Sequence, residues 1–166
     1  MNLSAKLLSS PDFTAALAGL IHASGIEPEA LTFEVTESAA MLDPEIAIAA
    51  LRSFRALGIA ISMDDYGTGQ STLSYLKQLP LNELKIDRSF VQFAHQNRGD
   101  GVLVRSTIDL AHDLGLKVVA EGAEDQECLA FLHSIGCDMV QGYVISRPVP
   151  ADELAALLSR SFAIAA

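Results

Sequence analysis

Residues 57–65 read Leu57-Gly58-Ile59-Ala60-Ile61-Ser62-Met63-Asp64-Asp65. Gly58 supplies the left-handed backbone that closes a helix. The five residues after it form a short β-favouring run, and two carboxylates stand at its far end. The same residue-Gly-apolar phrase recurs at Ser24-Gly25-Ile26, Leu114-Gly115-Leu116 and Ile135-Gly136-Cys137. Each phrase is followed by a run that suits a strand: residues 31–35, 116–120 and 139–145. Residues 81–86 and the opening 2–4 add two more, about six strands in all. Helices are expected over 11–24, 44–57, 98–114, 124–135 and 151–161, and one short helix within 64–80. Ser10-Pro11-Asp12 and Asp43-Pro44-Glu45 each set a capping side chain before a proline at the first helical position. Strands alternating with helices imply an α/β domain with a parallel sheet, and no linker or low-complexity segment divides it.

A strand-helix unit takes roughly 30 residues and a complete eight-unit barrel about 250, so the 166 residues are expected to hold five or six units. The formal net charge is −10, from 11 Lys+Arg against 21 Asp+Glu, and no basic stripe exists. DNA and RNA polymers are therefore excluded as partners, and the acidity suits either solubility or a carboxylate site for metal ions. Cys128 and Cys137 lie in apolar surroundings with no C-x-x-C spacing, which predicts buried thiols in a reducing, cytoplasmic setting. No apolar run reaches the ~20 residues of a membrane span, and residues 13–25 read as an ordinary helix rather than a leader. His22, His95, His112 and His133 show no H-x-x-x-H spacing. They are expected to be structural or surface residues, without zinc.

Sites in parallel α/β folds form at the carboxyl ends of strands. The polar residues expected there are Asn2, Glu34 and Glu37, Asp64 and Asp65, Lys85 and Asp87, Glu121 and Glu124, and Gln141. Adjacent aspartates leaving an apolar strand repel each other unless a cation neutralises them. Paired Mg²⁺ or Mn²⁺ ions require several oxygen donors with one shared. The loop Gly67-Thr68-Gly69-Gln70-Ser71-Thr72 lacks Walker A spacing and the third glycine of a dinucleotide fingerprint. It reads as a flexible loop over the strand ends. No G-x-S-x-G elbow occurs.

The runs Leu-Thr-Phe-Glu34-Val-Thr-Glu37-Ser, Asp64-Asp65-Tyr-Gly-Thr-Gly, Leu-Lys85-Ile-Asp87-Arg-Ser-Phe, Ala-Glu121-Gly-Ala-Glu124 and Gly-Cys-Asp-Met-Val-Gln141-Gly-Tyr occur in one order. That order resembles the EAL-domain family, bacterial phosphodiesterases that open cyclic di-GMP to linear pGpG. The resemblance implies a modified TIM barrel with two Mg²⁺ or Mn²⁺ ions at the strand ends. Asn2, Glu34 and Asp64 would bind one ion, and Asp64 would bridge to a second held also by Asp65 and Glu121. Lys85 would hold and polarise the attacking water. Gln141 and Glu124 would order water and ligands, Glu37 would brace the loop after Asp65, and Asp87 would orient Lys85. Tyr66, Gln70 and Ala123 depart from the family's usual Phe, aromatic and Val.

The family's Glu-Ala-Leu triplet, whose Glu is a metal ligand, belongs on a strand before Asn2. Residues 1–166 thus read as a partial EAL domain, the carboxyl-terminal two-thirds of an incomplete (β/α)8 TIM-type barrel. Six strands of eight predict exposed sheet edges, and with them a homodimer or a strand-completing partner. A non-catalytic cyclic di-GMP receptor or protein-interaction module is the alternative to an enzyme.

Overall fold

The computed structural model describes residues 1–68 and 72–158. Gly69, Gln70 and Ser71 of the expected loop, and residues 159–161 of the last expected helix, lie outside the described residues. The chain divides into two compact units, residues 1–85 with 111–117 and residues 86–110 with 118 onward.

The first unit holds β1 (Asn2–Leu3), β2 (Thr32–Thr36), β3 (Ala60–Tyr66) and most of β4 (Glu83–Ile86). The strands lie in chain order, with β1–β2 and β2–β3 parallel. Asn82 starts the β3–β4 edge: its amide donates to the Ile61 carbonyl, and its Oδ1 accepts from the Ile61 amide, both at 2.9 Å. Register settles which side chains share a face, because directly paired residues of a parallel sheet point the same way and neighbours along a strand alternate. Leu3, Phe33, Val35, Ile61, Met63 and Leu84 fall on one face and are buried. Asn2, Glu34, Ser62 and Asp64 fall on the other.

The helices of this unit are α1 (Ala5–Leu8), α2 (Pro11–Ser24), α3 (Glu37–Leu42), α4 (Pro44–Ala56) and α5 (Leu73–Leu76), with a 3-10 turn at Pro28–Ala30. Ala47, Leu51 and Phe54 recur three to four positions apart along α4 and are buried. Phe54 meets Phe33 of β2 edge-on, with ring centroids 5.0 Å apart at 84°, a preferred aromatic geometry. The expected caps form: Ser10 accepts from the Phe13 amide at 3.3 Å and Asp43 from the Ile46 amide at 3.5 Å. Gly25 and Gly58 take φ of 70° and 98°.

The second unit carries β5 (Lys117–Glu121, from Val118 onward), the parallel β6 (Met139–Gln141), and helices α6 (Arg88–Val91), α8 (Gln126–Ser134) and α9 (Ala151–Leu158). α7 (Arg98–Asp113) belongs to it through Leu110. Asp125 caps α8 by accepting from the Cys128 amide at 2.7 Å. That cap moves the helix start to Gln126, two residues later than the expected 124. β6 is also shorter than the expected 139–145, because Gly142 onward turns back on Ala123: the Val144 amide donates to the Ala123 carbonyl at 3.1 Å. β3 is longer than expected and takes in Asp64 and Asp65. The short α1, α3 and α6 were not anticipated, since single turns leave little apolar periodicity to read.

Cys128 is buried and Cys137 only partly so, which corrects the expectation for the second thiol. Burial pushes the Cys128 thiol up to about 11, with Asp125 and Cys137 adding to the shift. Among the described residues no helix is long and apolar enough to cross a membrane.

Two outcomes are expected. Phe54→Ala removes a fully buried ring and should cost about 3–5 kcal/mol of stability, read as a lower urea midpoint at unchanged slope. A loss under about 1 kcal/mol would contradict this packing. At pH 8 roughly one Cys128 thiol in a thousand is ionised, so a thiol reagent should label it slowly in the native chain and rapidly in denaturant. Rapid native labelling at that position would contradict its burial.

Candidate active site

In the first unit a cation stands between two carboxylates. Lys85 Nζ lies 3.1 Å from Glu34 Oε1 and 3.1 Å from Asp64 Oδ1. The side-chain exposures are 8% for Lys85, 26% for Glu34 and 17% for Asp64, so water screens the pairs only in part. The register explains the meeting. Glu34 pairs with Ser62 and Thr36 with Asp64, which sets the two carboxylates diagonally on one face. Ser62 donates to Glu83 Oε1 at 2.8 Å, so Glu83 and Lys85, two apart on β4, share that face. Asn2 pairs with Glu34 from β1 and brings an amide oxygen to the same side. These are the hard oxygen donors that Mg²⁺ and Mn²⁺ take. A positive charge already sits between two of them, so the residues fit a divalent cation.

Asp65 has φ of 56°, a left-handed backbone that glycine usually supplies. Such a residue costs of order 1–3 kcal/mol and persists only where its surroundings hold it. Here Asp64 Oδ1 accepts from the Asp65 amide at 3.1 Å, and the Asp65 carbonyl accepts from Thr68 Oγ1 at 2.8 Å. Glu37, buried at the start of α3, accepts from the Gly67 amide through Oε2 at 3.3 Å. Burial and the Glu37 charge raise the Tyr66 phenol above its usual range. Tyr75 donates from its hydroxyl to the Ala40 carbonyl at 2.6 Å, tying α5 to α3.

In the second unit Glu121 pairs with Gln141 across β5 and β6. Both line a cavity of about 440 Å³ with Arg88, Glu124, Tyr143 and Arg147. The Arg147 guanidinium lies 4.3 Å over the Tyr143 ring, a cation–π arrangement. Glu124 accepts from Arg88 Nη2 at 2.6 Å and from Gln92 Nε2 at 3.1 Å. Asp87 caps α6, accepting from the Ser89 amide at 2.9 Å and from the Ser89 hydroxyl.

Thus Asn2, Glu34, Asp64 and Lys85 come together on one face, Glu37 reaches the loop after Asp65, and Glu121, Glu124 and Gln141 border one cavity. Arg88, Gln92, Arg147 and Tyr143 were missed. Arg88 sits inside the Asp87 motif and Tyr143 closes the Gln141 motif, so both carried a signal; Gln92 and Arg147 carry none. One histidine also proves less bland than expected. His95 Nε2 is 3.7 Å from Asp125 and 3.8 Å from Glu127, and one donor atom from each of the three lies within 4.8 Å of the others. Asp125 already caps α8 and Glu127 is 82% exposed, so this cluster is explained as a helix start.

Residues 1–148 match the family described as EAL domain. The chain belongs to the EAL-domain family. It is 40% identical over 156 residues to the bifunctional diguanylate cyclase/cyclic di-GMP phosphodiesterase MucR of Pseudomonas aeruginosa, covering 94% of this chain and 23% of that protein. The solved cyclic di-GMP complex of the MucR phosphodiesterase matches with a TM-score of 0.87 and 40% identity, over 92% of this chain and 62% of that one. A manganese and cyclic di-GMP complex of Klebsiella pneumoniae BlrP1 matches with a TM-score of 0.82 and 32% identity, over 89% of this chain and 38% of that one. The chain spans about a fifth to a quarter of the length of the curated relatives it matches. These likenesses give the fold class: six strands alternating with helices, an incomplete TIM-type barrel of the EAL kind.

The EAL domain's central ion pair yields a direct test. Lys85→Met leaves two partly buried carboxylates facing each other without a counter-charge, which should cost about 2–3 kcal/mol of stability in EDTA. Mn²⁺ should recover more of the melting temperature in the variant than it adds to the wild type. Equal stability of the two proteins in EDTA would remove Lys85 from its bridging position.

Proposed function

We propose that this EAL domain hydrolyses cyclic di-GMP to linear pGpG with divalent metal ions. The observation that carries the reading is the Lys85 ammonium 3.1 Å from both Glu34 and Asp64, at the motif positions where the family places metal ligands and the water-holding lysine. The likeness to phosphodiesterases in complex with cyclic di-GMP supports it.

By their place in the motifs, Asn2, Glu34 and Asp64 would hold one Mg²⁺ or Mn²⁺ ion and Asp64 and Asp65 would serve a second, for which the motif order also nominates Glu121. When bound, two such ions offset the phosphodiester charge and make a water acidic enough to attack near neutral pH. The chain's own residues then do the positioning. Lys85 donates to the attacking water and holds it on the line of displacement. The left-handed turn at Asp65 lets two consecutive carboxylates serve one site although neighbours along a strand ordinarily diverge. Glu37 fixes that turn through the Gly67 amide. Gln141 and Glu124 orient water and substrate, and Asp87 orients Lys85. Arg88 and Arg147 supply the positive charge that a nucleotide phosphate requires.

The test is chromatographic separation of pGpG from cyclic di-GMP after incubation with Mg²⁺, Mn²⁺ or EDTA, with and without the upstream barrel strands supplied. Product is expected with either metal and none with EDTA. Lys85→Ala should lose turnover by at least about a hundredfold while still binding Mn²⁺. Calorimetric binding of cyclic di-GMP without product would make the domain a receptor. Neither binding nor product, even with the strands restored, would overturn the reading.

A further inference from the structure

Glu124 is gripped at both oxygens, by Arg88 at the start of α6 and by Gln92, the residue that closes it. Arg88 Nη2 takes Oε1 at 2.6 Å, and Gln92 Nε2 takes Oε2 at 3.1 Å. The two donors are four apart, and the Gln92 amide still bonds the Arg88 carbonyl at 3.0 Å, so both side chains leave the same side of α6. That helix is itself anchored. Asp87 caps it through Ser89, and Val91 is fully buried with its carbonyl accepting from Cys128 Sγ at 3.4 Å.

The loop carrying Glu124 is pinned on its other flank by backbone. The Gly122 and Ala123 amides donate to the Gln141 carbonyl at 2.7 and 3.3 Å. Gly142 lets the Ala123 backbone come close, since a Cβ there would collide with it. Gly122 takes φ of 77°, and a Cβ on it would meet the stem of Arg88. The Arg88 stem thus lies across Gly122 while its guanidinium reaches Glu124. Glutamate carries three rotatable side-chain torsions, and the Glu124 side chain is 37% exposed. Left with a single partner, its carboxylate would rotate about the bond to that partner. Two donors from different directions fix its plane.

We propose that Gln92 is a positioning residue: it and Arg88 clamp both carboxylate oxygens of Glu124 and so set the orientation in which that carboxylate meets water and substrate. The kinetic part rests on the phosphodiesterase reading above; the ordering of the loop does not. Arg88 alone supplies charge, whereas Gln92 supplies direction, and nothing in the sequence pattern of the motifs marks it.

Two variants separate this role from simple space-filling. Gln92→Leu removes the donor at similar volume. Gln92→Glu keeps the shape and replaces the donor with a charge that repels Glu124. Both should melt close to the wild type, because the position is only partly buried. Hydrogen exchange at the 122–124 amides should speed about tenfold in Gln92→Leu, and kcat for cyclic di-GMP should fall about tenfold with KM little changed. Gln92→Glu should be worse on both counts, which a merely structural glutamine would not produce, since that variant is isosteric. Unchanged exchange and unchanged kcat in both variants would overturn the clamp. Absence of turnover in the wild type would sink only the functional reading, and the exchange measurement would still decide whether Gln92 orders the loop.

Discussion

A buried ammonium and two partly buried carboxylates each cost several kcal/mol to take out of water alone. Lys85, Glu34 and Asp64 therefore depend on one another: the ammonium is tolerated because two carboxylates flank it at 3.1 Å, and they approach each other only because it stands between them. Much of the first unit follows from keeping that arrangement on one side of the sheet. Ser62, fully buried beside it, donates to Glu83, and Asn2 stands across from Glu34. The strands must then alternate, with polar side chains toward this face and Phe33, Val35, Ile61, Met63 and Leu84 toward the other. A slip of one residue in the β2–β3 register would exchange the faces and bury Glu34 among aliphatic side chains.

In each unit the backbone accepts conformations that packing alone would not select. Asp65 holds a left-handed conformation where glycine would be more comfortable, and its neighbours' hydrogen bonds maintain it. Gly122 and Gly142 are used differently. At both, a side chain would collide with atoms that need the space, the Arg88 stem at one and the Ala123 backbone at the other. Unusual backbone of this kind is characteristic of functional loops set on a rigid scaffold. They also explain why α6, only a turn long, matters here: it is the support from which Arg88 and Gln92 reach Glu124.

The acidic balance of the chain gains a location from this. Part of the net charge of −10 is drawn into positions where carboxylates are paired with Lys85, with Arg88, or with backbone amides, as Glu37 is with Gly67. A uniformly acidic surface would favour solubility and nothing more. Carboxylates gathered on one sheet face and beside one cavity are instead suited to cations and to the water those cations would carry.

What could be read from the chain alone was whatever local chemistry dictates. The glycines at 25, 58, 115 and 136 end helices because only glycine adopts that backbone cheaply, and Ser10 and Asp43 cap because their oxygens reach amides three residues ahead. The strand-end residues Glu34, Asp64, Lys85, Glu121 and Gln141 were legible because polar groups at the ends of apolar runs need a reason to be there. Residues 92 and 147 were not legible, for each becomes meaningful only through a partner distant in sequence or through a cavity wall. Gln92 meets Glu124 across 32 positions, and no spacing rule links them. The left-handed turn at Asp65 was hidden as well, since a strand followed by two aspartates says nothing of φ. Local chemistry along the chain thus sets the order of elements and the chemical character of their ends. Which carboxylate meets which cation is settled in three dimensions, because it depends on sheet register and helix placement, which nonlocal packing sets.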